Sequence, residues 1–444
     1  MGFLDFILYP VYVALFYFLF SARRKNYADP VLKFYHKQGF WIKALAVLPF
    51  TLFNTVLSPG DSFGLYYTEG AHLAKLIAHD FENIKWLYLP AAEFDETLLK
   101  NALNKGYLHV ENNYMIVRIV AFFSYFALNK YVILNLFFSM LSFSGVWRLY
   151  RFFYEQYPHL HKQFAIAILY LPTFVFWSSG ILKDPICTGA IGWITYALYE
   201  IFYKKKNLLA NIIIIFLFSY LLYVIKVYIL ISYVPFFILY LVLKNVTLIR
   251  SRILRISFVV GLIVIAISMF TTVMQQLAGS LGSYGGDQSI TKNISAYQRA
   301  YAVQEDASSN FSLGVEFDGS TASLIKIAPA AIIATLFRPF IWESKKISTL
   351  LSSLESLAIM MFTLIVFFKA GPFNFIRSIL KDPVIMYCLL FALLFALFVG
   401  ATTANFGTLV RYKIPCMPFY IAALFLIQDK NKKIKKNSVN NGAV

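Results

Sequence analysis

KALAVLPFTLFNTVLSPGDSFGLYYTEG, Lys43 to Gly70, holds the change of character that decides how this chain is read. Residues 43–58 read as a membrane span that runs straight into PGDSFGLYYTEG, Pro59–Gly70. That second part carries two carboxylates, Asp61 and Glu69, two tyrosines and three glycines. Carboxylates at the exit of a hydrophobic helix are costly unless they meet water, a partner or a substrate. Gly60 lets the backbone turn sharply there. Asp61 equally reads as the cap of a helix formed by SFGLYYTEGAHLAKLIA. Taken alone, these twelve residues favour the capped loop. The balance turns on how many other unusual polar groups share their side of the membrane.

Composition sets the class. The chain has 444 residues, of which 59% are hydrophobic, 18% aromatic and only 14% charged. That is too apolar for a soluble globular protein. Many separate apolar runs of spanning length define an all-α, polytopic helical bundle. The net charge of +18 lies mostly in short segments between spans, where topology places it, and does not indicate nucleic acid. Cys187, Cys388 and Cys416 sit in or beside apolar runs without metal-ligand spacing, and read as packing residues. The first apolar run, Phe6–Phe20, lacks a basic leader and a small-residue cleavage site, so it reads as a retained span.

About eleven spans fit the hydropathy. They lie near 5–20, 43–58, 131–147, 163–180, 186–203, 208–224, 228–243, 254–271, 351–368, 383–400 and 412–427. One set of connecting segments holds 23 of the 40 lysines and arginines and is therefore assigned to the cytoplasm. This puts the N-terminus outside and the C-terminus inside, as expected of a bacterial inner-membrane protein. Residues 1–427 form a single transmembrane domain in this reading, and 428–444 a disordered basic tail. Two long loops, 59–130 and 272–350, face outward. Tyr114–Leu128 is apolar but broken by Arg118, and reads as a helix that dips in or lies at the interface. Ile327–Phe337 reads the same way, after the glycine-rich GSLGSYGGDQS that opens the second loop.

Sorted by this topology, the unusual polar residues gather on the outer side. Asp61 and Glu69 belong there. So do Lys183 and Asp184 of WSSGILKDPI, Arg338 and Glu343 of LFRPFIWE, and Asn405, Arg411 and Lys413 of ATTANFGTLVRYKIP. Lys226 is assigned to another outward turn, and Glu355 lies just inside a span. Each has an ordinary explanation. Lys183–Asp184 before Pro185 suits a helix start. Arg338 suits an interfacial anchor. Glu343 and Glu355 suit ion pairs with Lys345 and Lys346. Arg411 and Lys413 suit lipid headgroups. Together, carboxylates and arginines at one depth describe a site for an anionic lipid-linked substrate, because arginine grips phosphate in a fork.

The arrangement resembles the GT-C superfamily of polytopic glycosyltransferases, which use polyprenyl-phosphate sugar donors, and is similar to bacterial surface-polysaccharide polymerases. The matching pieces are GDSFGLYYTEG for the acidic residue near the start of the first outer loop, and LPTFVFWSSGILKDPI, with Pro172, for a proline followed by a basic–Asp pair. LVRYKIPCMPF matches the final Arg with two prolines. Two departures stand out: Lys183 replaces the usual arginine of the pair, and no large soluble domain follows the last span. The second removes oligosaccharyltransferase-like roles from the expectation. The resemblance implies an inverting transfer from an undecaprenyl-phosphate-type donor. Asp61 is then the base that takes the acceptor proton, and Arg411, Lys183 and Arg338 receive the leaving phosphate. Asp184 and Glu69 orient the acceptor or the cations, and Glu343 and Asn405 line the substrate. A divalent cation is optional, since a lipid phosphate already leaves well. Two other classes stay open. A flippase or transporter needs ionisable groups near mid-membrane and repeated halves. A non-catalytic subunit of a surface-assembly complex needs no essential carboxylate.

Overall fold

A computed structural model describes residues 2–57, 60–244, 310–313, 321–344, 347–403 and 405–441, with scattered positions between 253 and 268. The span expected at 254–271 and the GSLGSYGGDQS stretch lie largely or wholly outside these residues, as do Pro59, Lys345 and Lys346. The described chain is helical, with no strand longer than an isolated bridge between Asn310 and Asn405. It divides into two compact units, Met1–Lys226 and Val227–Val444, rather than one.

The first unit begins with α1 (Phe3–Lys25) and α2 (Pro30–Leu52), the latter capped by Asp29, whose side chain accepts from Val31 N at 2.8 Å. The segment between the second and third expected spans supplies α3 (Thr68–His79) and α4 (Glu111–Ser124). After them come α5 (Tyr131–Gln156), the short α6 (His161–Phe164) and α7 (Pro172–Trp177), and α8 (Lys183–Tyr199). The long α9 (Leu208–Lys244) crosses the boundary between the units.

The centre of the first unit is the pairing of α5 with α8. The two run parallel. Asn135 Oδ1 accepts from Ile181 N at 2.9 Å, Ser142 meets Thr188 at 3.1 Å, and Trp193 Nε1 donates to Ser144 Oγ at 2.9 Å. Close approach is possible because both helices present glycine. A β-carbon on Gly145 would collide with the carbonyl oxygen of Gly189, the small-residue contact that lets membrane helices pack backbone to backbone. Gly145→Ala is expected to force α5 and α8 apart and to lower the melting temperature of the purified protein, by an overpacking cost of about 1–3 kcal/mol. Gly64→Ala, where an added β-carbon meets nothing within 4 Å, is the control and should melt normally.

The second unit contains α10 (Thr321–Phe337), α11 (Ile347–Ala370), α12 (Pro372–Lys381), α13 (Pro383–Thr402), α14 (Phe406–Tyr412) and α15 (Met417–Asn441). Helix α10 packs on α13, where Thr335 Oγ1 donates to Ala396 O at 2.8 Å. Helix α15 lies against both α13 and α11. The tail expected to be disordered instead continues α15 to Asn441. Lys430 pairs with Asp382 at 2.9 Å and Lys433 with Asp429 at 2.7 Å, so part of its basic charge is spent on ion pairs.

Among the described residues, six helices are long and apolar enough to cross a membrane, or seven if the bent pair Phe406–Tyr412 and Met417–Ile434 counts as one span. The long apolar helices fit a multi-pass membrane protein. The difference from eleven has local causes. The run at 163–180 is broken into short pieces, with Pro172 starting α7 because it lacks the amide that would continue a preceding turn. The run at 186–203 yields a 17-residue helix and a wider π turn, stopped by Lys205 at φ 52°. Leu208–Lys244 counts once among the six, yet it is two helices, one for each of the runs at 208–224 and 228–243, meeting at a kink at Lys226, whose φ −152° and ψ 73° are non-helical. No glycine or proline separates those two runs, so hydropathy has only one lysine to mark the break.

Candidate functional site

The candidate site residues fall into two groups of four. Asp61, Glu69, Lys183 and Asp184 belong to the first unit, and Arg338, Glu343, Asn405 and Arg411 to the second.

Asp61 is exposed and opens a π-helical turn, Asp61–Tyr67. The capping position is taken by Gly60, with extended backbone at φ −130°, and not by Asp61. The turn is clamped on two sides. Ser62 Oγ meets the Tyr131 hydroxyl at the start of α5, at 2.7 Å, and the Tyr66 hydroxyl donates to Asn113 Oδ1 on α4 at 3.2 Å. The rings of Phe63 and Tyr67 pack on Tyr131, with centroids 5.0 and 4.9 Å away. Asp61 is thus a watery carboxylate on a held backbone.

Glu69 has a different environment. It is 3% exposed and accepts from Lys100 N at 2.8 Å, Asn101 N at 3.0 Å and Asn104 Nδ2 at 2.6 Å. Its oxygens tie the outer loop down, which is the work of a staple. Arg118, the charge that interrupts α4, is satisfied in the same loop. It pairs with Glu111, donates to the carbonyl oxygens of Leu89 and Trp86, and lies 4.4 Å from the Tyr114 ring centroid. Helix α4 has 14 residues, about 21 Å, too short to cross a bilayer core of about 30 Å.

Lys183 and Asp184 occupy the first turn of α8, where the helix dipole favours the carboxylate. The Lys183 ammonium donates to Asn112 Oδ1, on the first turn of α4, at 2.8 Å. It lies within electrostatic range of Asp61. Burial, and then the charge of Lys226, pulls the Lys183 amine down to about 7, while Asp61 acts in the opposite direction. An anion arriving beside it would favour the charged form. Asp184 is fully buried and forms an ion pair with Lys226 at 2.6 Å. Lys226 itself is only 6% exposed and stands at the break in α9. Where a turn was expected, two helices meet at a kink.

In the second unit Arg338 and Glu343 form a fork-to-carboxylate pair. Arg338 Nε donates to Glu343 Oε2 at 3.1 Å, and its Nη2 reaches Oε1. Its Nη1 donates to Ser312 O at 3.0 Å, and its guanidinium lies 4.5 Å from the Phe311 ring centroid. Glu343 therefore pairs with Arg338; Lys345 and Lys346, its expected partners, lie outside the described residues. Asn405 caps α14, accepting from Gly407 N at 2.7 Å, and donates to Asn310 Oδ1 at 3.1 Å. Arg411 is half-buried in the last turn of α14. Lys413, 1% exposed, donates to Arg338 O at 3.1 Å and to Ser356 Oγ at 2.9 Å.

Sequence reasoning passed over two polar residues of the first unit. Asn112 carries no charge and offers no signal. Lys43, 3% exposed, donates to the hydroxyl of Ser178 at 2.8 Å and to its carbonyl oxygen; a lysine within an apolar run was the available signal. Among the described residues, no group of three or more His, Cys, Asp or Glu side chains is placed to hold a metal ion. No protein family, curated protein or solved structure matches this chain. The class defined by its helices is that of a multi-pass membrane protein whose ionisable residues are built into each unit in pairs.

Proposed function

We propose that this chain is a membrane glycosyltransferase that takes a sugar from a polyprenyl-phosphate donor at the extracytoplasmic face, in cell-surface glycan assembly. The observation that carries this reading is Asp61, an exposed carboxylate on a clamped turn within electrostatic range of the Lys183 amine. A base and a cation in one constellation are what an inverting displacement needs. Asp61 takes the proton of the acceptor hydroxyl as its oxygen attacks the sugar's anomeric carbon. The bond from that carbon to the phosphate oxygen breaks, and the phosphate leaves with the electron pair, stabilised by Lys183. Asn112 holds the amine in place, and the Asp184–Lys226 pair anchors the turn that carries it.

The test is lipid-linked glycan analysis of cells lacking the protein. A transferase leaves truncated repeats, whereas a polymerase leaves complete single-repeat intermediates. An unchanged profile removes both. A second reading, transport of an anionic lipid-linked solute, is favoured by one observation: a buried ion pair at a helix break, the kind of feature that discontinuous transporter helices carry.

A further inference from the structure

At the opposite end of the α5–α8 pair lies a second cluster, unconnected with Asp61. Arg148 sits on α5, 17 residues along from Tyr131, about 25 Å at helical rise. It is 8% exposed. Its guanidinium stacks on the Trp193 ring, 3.5 Å from the centroid, with Tyr196 at 5.6 Å. Among the described residues it has ring contacts but no hydrogen bond and no ion pair; the carboxylate of Glu200 acts on it only through space. A guanidinium carries five donors that cannot be neutralised. Buried without an acceptor, it is among the costlier groups a fold can hold.

Arg148 lines a small cleft together with Arg23, Arg151, His36, Ser144 and Tyr27. Arg151 gives one nitrogen to Glu155 at 2.9 Å, and its buried Nε has no partner. The Glu155 carboxylate is shared further with Lys204. His36 is 1% exposed, and its Nδ1 has no hydrogen bond. Arg23 is exposed at the mouth. Three guanidiniums and an imidazole thus converge where one carboxylate is already doubly used. Arginine is the side chain whose fork matches phosphate oxygens.

We propose that this cleft binds a phosphoryl anion, held by Arg148 and Arg151 with Arg23 closing from the rim. The ligand is either a lipid headgroup phosphate or a free phosphate. The site is separate from the Asp61 constellation and does not depend on the transferase reading.

The experiment uses the full chain, purified in a maltoside detergent, which carries no phosphate, and in phosphate-free buffer. In the first arm, inorganic phosphate is titrated against this sample, and binding is read by tryptophan fluorescence, since Trp147 lines the cleft and Trp193 stacks on Arg148. In the second arm, melting temperature is compared with and without added phosphatidylglycerol. Binding in the first arm identifies free phosphate; stabilisation confined to the second identifies a headgroup. Arg148→Met should weaken the effect at least about tenfold in whichever arm shows it, the scale of a lost charge-assisted contact. In detergent without phosphate or lipid, that variant should melt no lower than wild type, because it removes a buried charge that has ring contacts but no hydrogen-bonding or ionic partner. Arg23→Gln, on an exposed side chain, provides a variant that folds regardless and should weaken binding more modestly. No response of the wild type in either arm, or a response that survives in Arg148→Met and Arg23→Gln, overturns the proposal.

Discussion

Asp61→Asn is expected to cut glycan product by about 10²-fold or more, the usual scale for removing a general base, while the protein stays at its normal level in the membrane. Asparagine keeps the shape and the hydrogen-bonding capacity of the side chain but cannot take a proton. Stability should hold because Asp61 is exposed and the turn around it is held by its neighbours, through Ser62 on Tyr131 and Tyr66 on Asn113. Glu69→Gln supplies the contrast. Glu69 is buried with three donors around it. The amide that replaces it cannot accept from all of them with both ends, so abundance and product should fall together. The quantity to measure is product per unit of membrane-embedded protein. A normal ratio for Asp61→Asn eliminates it as the catalytic base and leaves Pro59–Gly70 an ordinary capped loop. A reduced ratio for Glu69→Gln as large as that for Asp61→Asn would instead give the buried residue a direct part in the chemistry.

The largest effect on stability is expected at Asp184 and Lys226. The carboxylate is fully buried and the lysine nearly so, at 2.6 Å. Lys226→Met leaves the Asp184 charge inside the fold without its counter-ion, a loss of about 3–5 kcal/mol for a buried pair broken on one side. Asp184→Asn strands the ammonium in the same way. The double variant removes both charges and should recover most of the loss, because desolvating two ions offsets much of what their attraction contributes. Salt should change none of this, since a buried pair is little screened. Melting of the three variants in detergent settles the matter. Losses that simply add would mean the two residues do not act as a pair. Function separates the two readings of the site: a double variant that melts normally and still makes product shows the pair to be structural, whereas one that folds but moves no lipid-linked solute favours transport.

Composition alone determined the class. A chain with 59% hydrophobic residues and many long apolar runs must satisfy its backbone within helices, and the described residues are helical. The break in character after Lys43–Ser58 was also legible, because glycine, proline and two carboxylates end an apolar run on chemical grounds. Spans were not countable by the same reasoning. Hydropathy is a sum over a window and does not register where the backbone bends. Pro172 broke one expected span, and at Lys226 two helices meet at a kink.

Roles within the candidate site depended on partners far away in sequence. Glu69 and Asp61 look alike in PGDSFGLYYTEG, yet one is tied to Lys100, Asn101 and Asn104 and the other faces water. Glu343 is gripped by Arg338, five residues away, because a guanidinium offers two parallel donors to a carboxylate. Asp184 found its cation 42 residues on, at Lys226. Nothing in the sequence marks Arg148 as buried, and only the packing of α8 against α5 covers it with Trp193. Sequence determined that charge was present at these positions and that the membrane would make it costly. Tertiary structure decided which charges were neutralised, because ion pairing depends on distances of a few ångströms between residues that the chain brings together only when its helices pack.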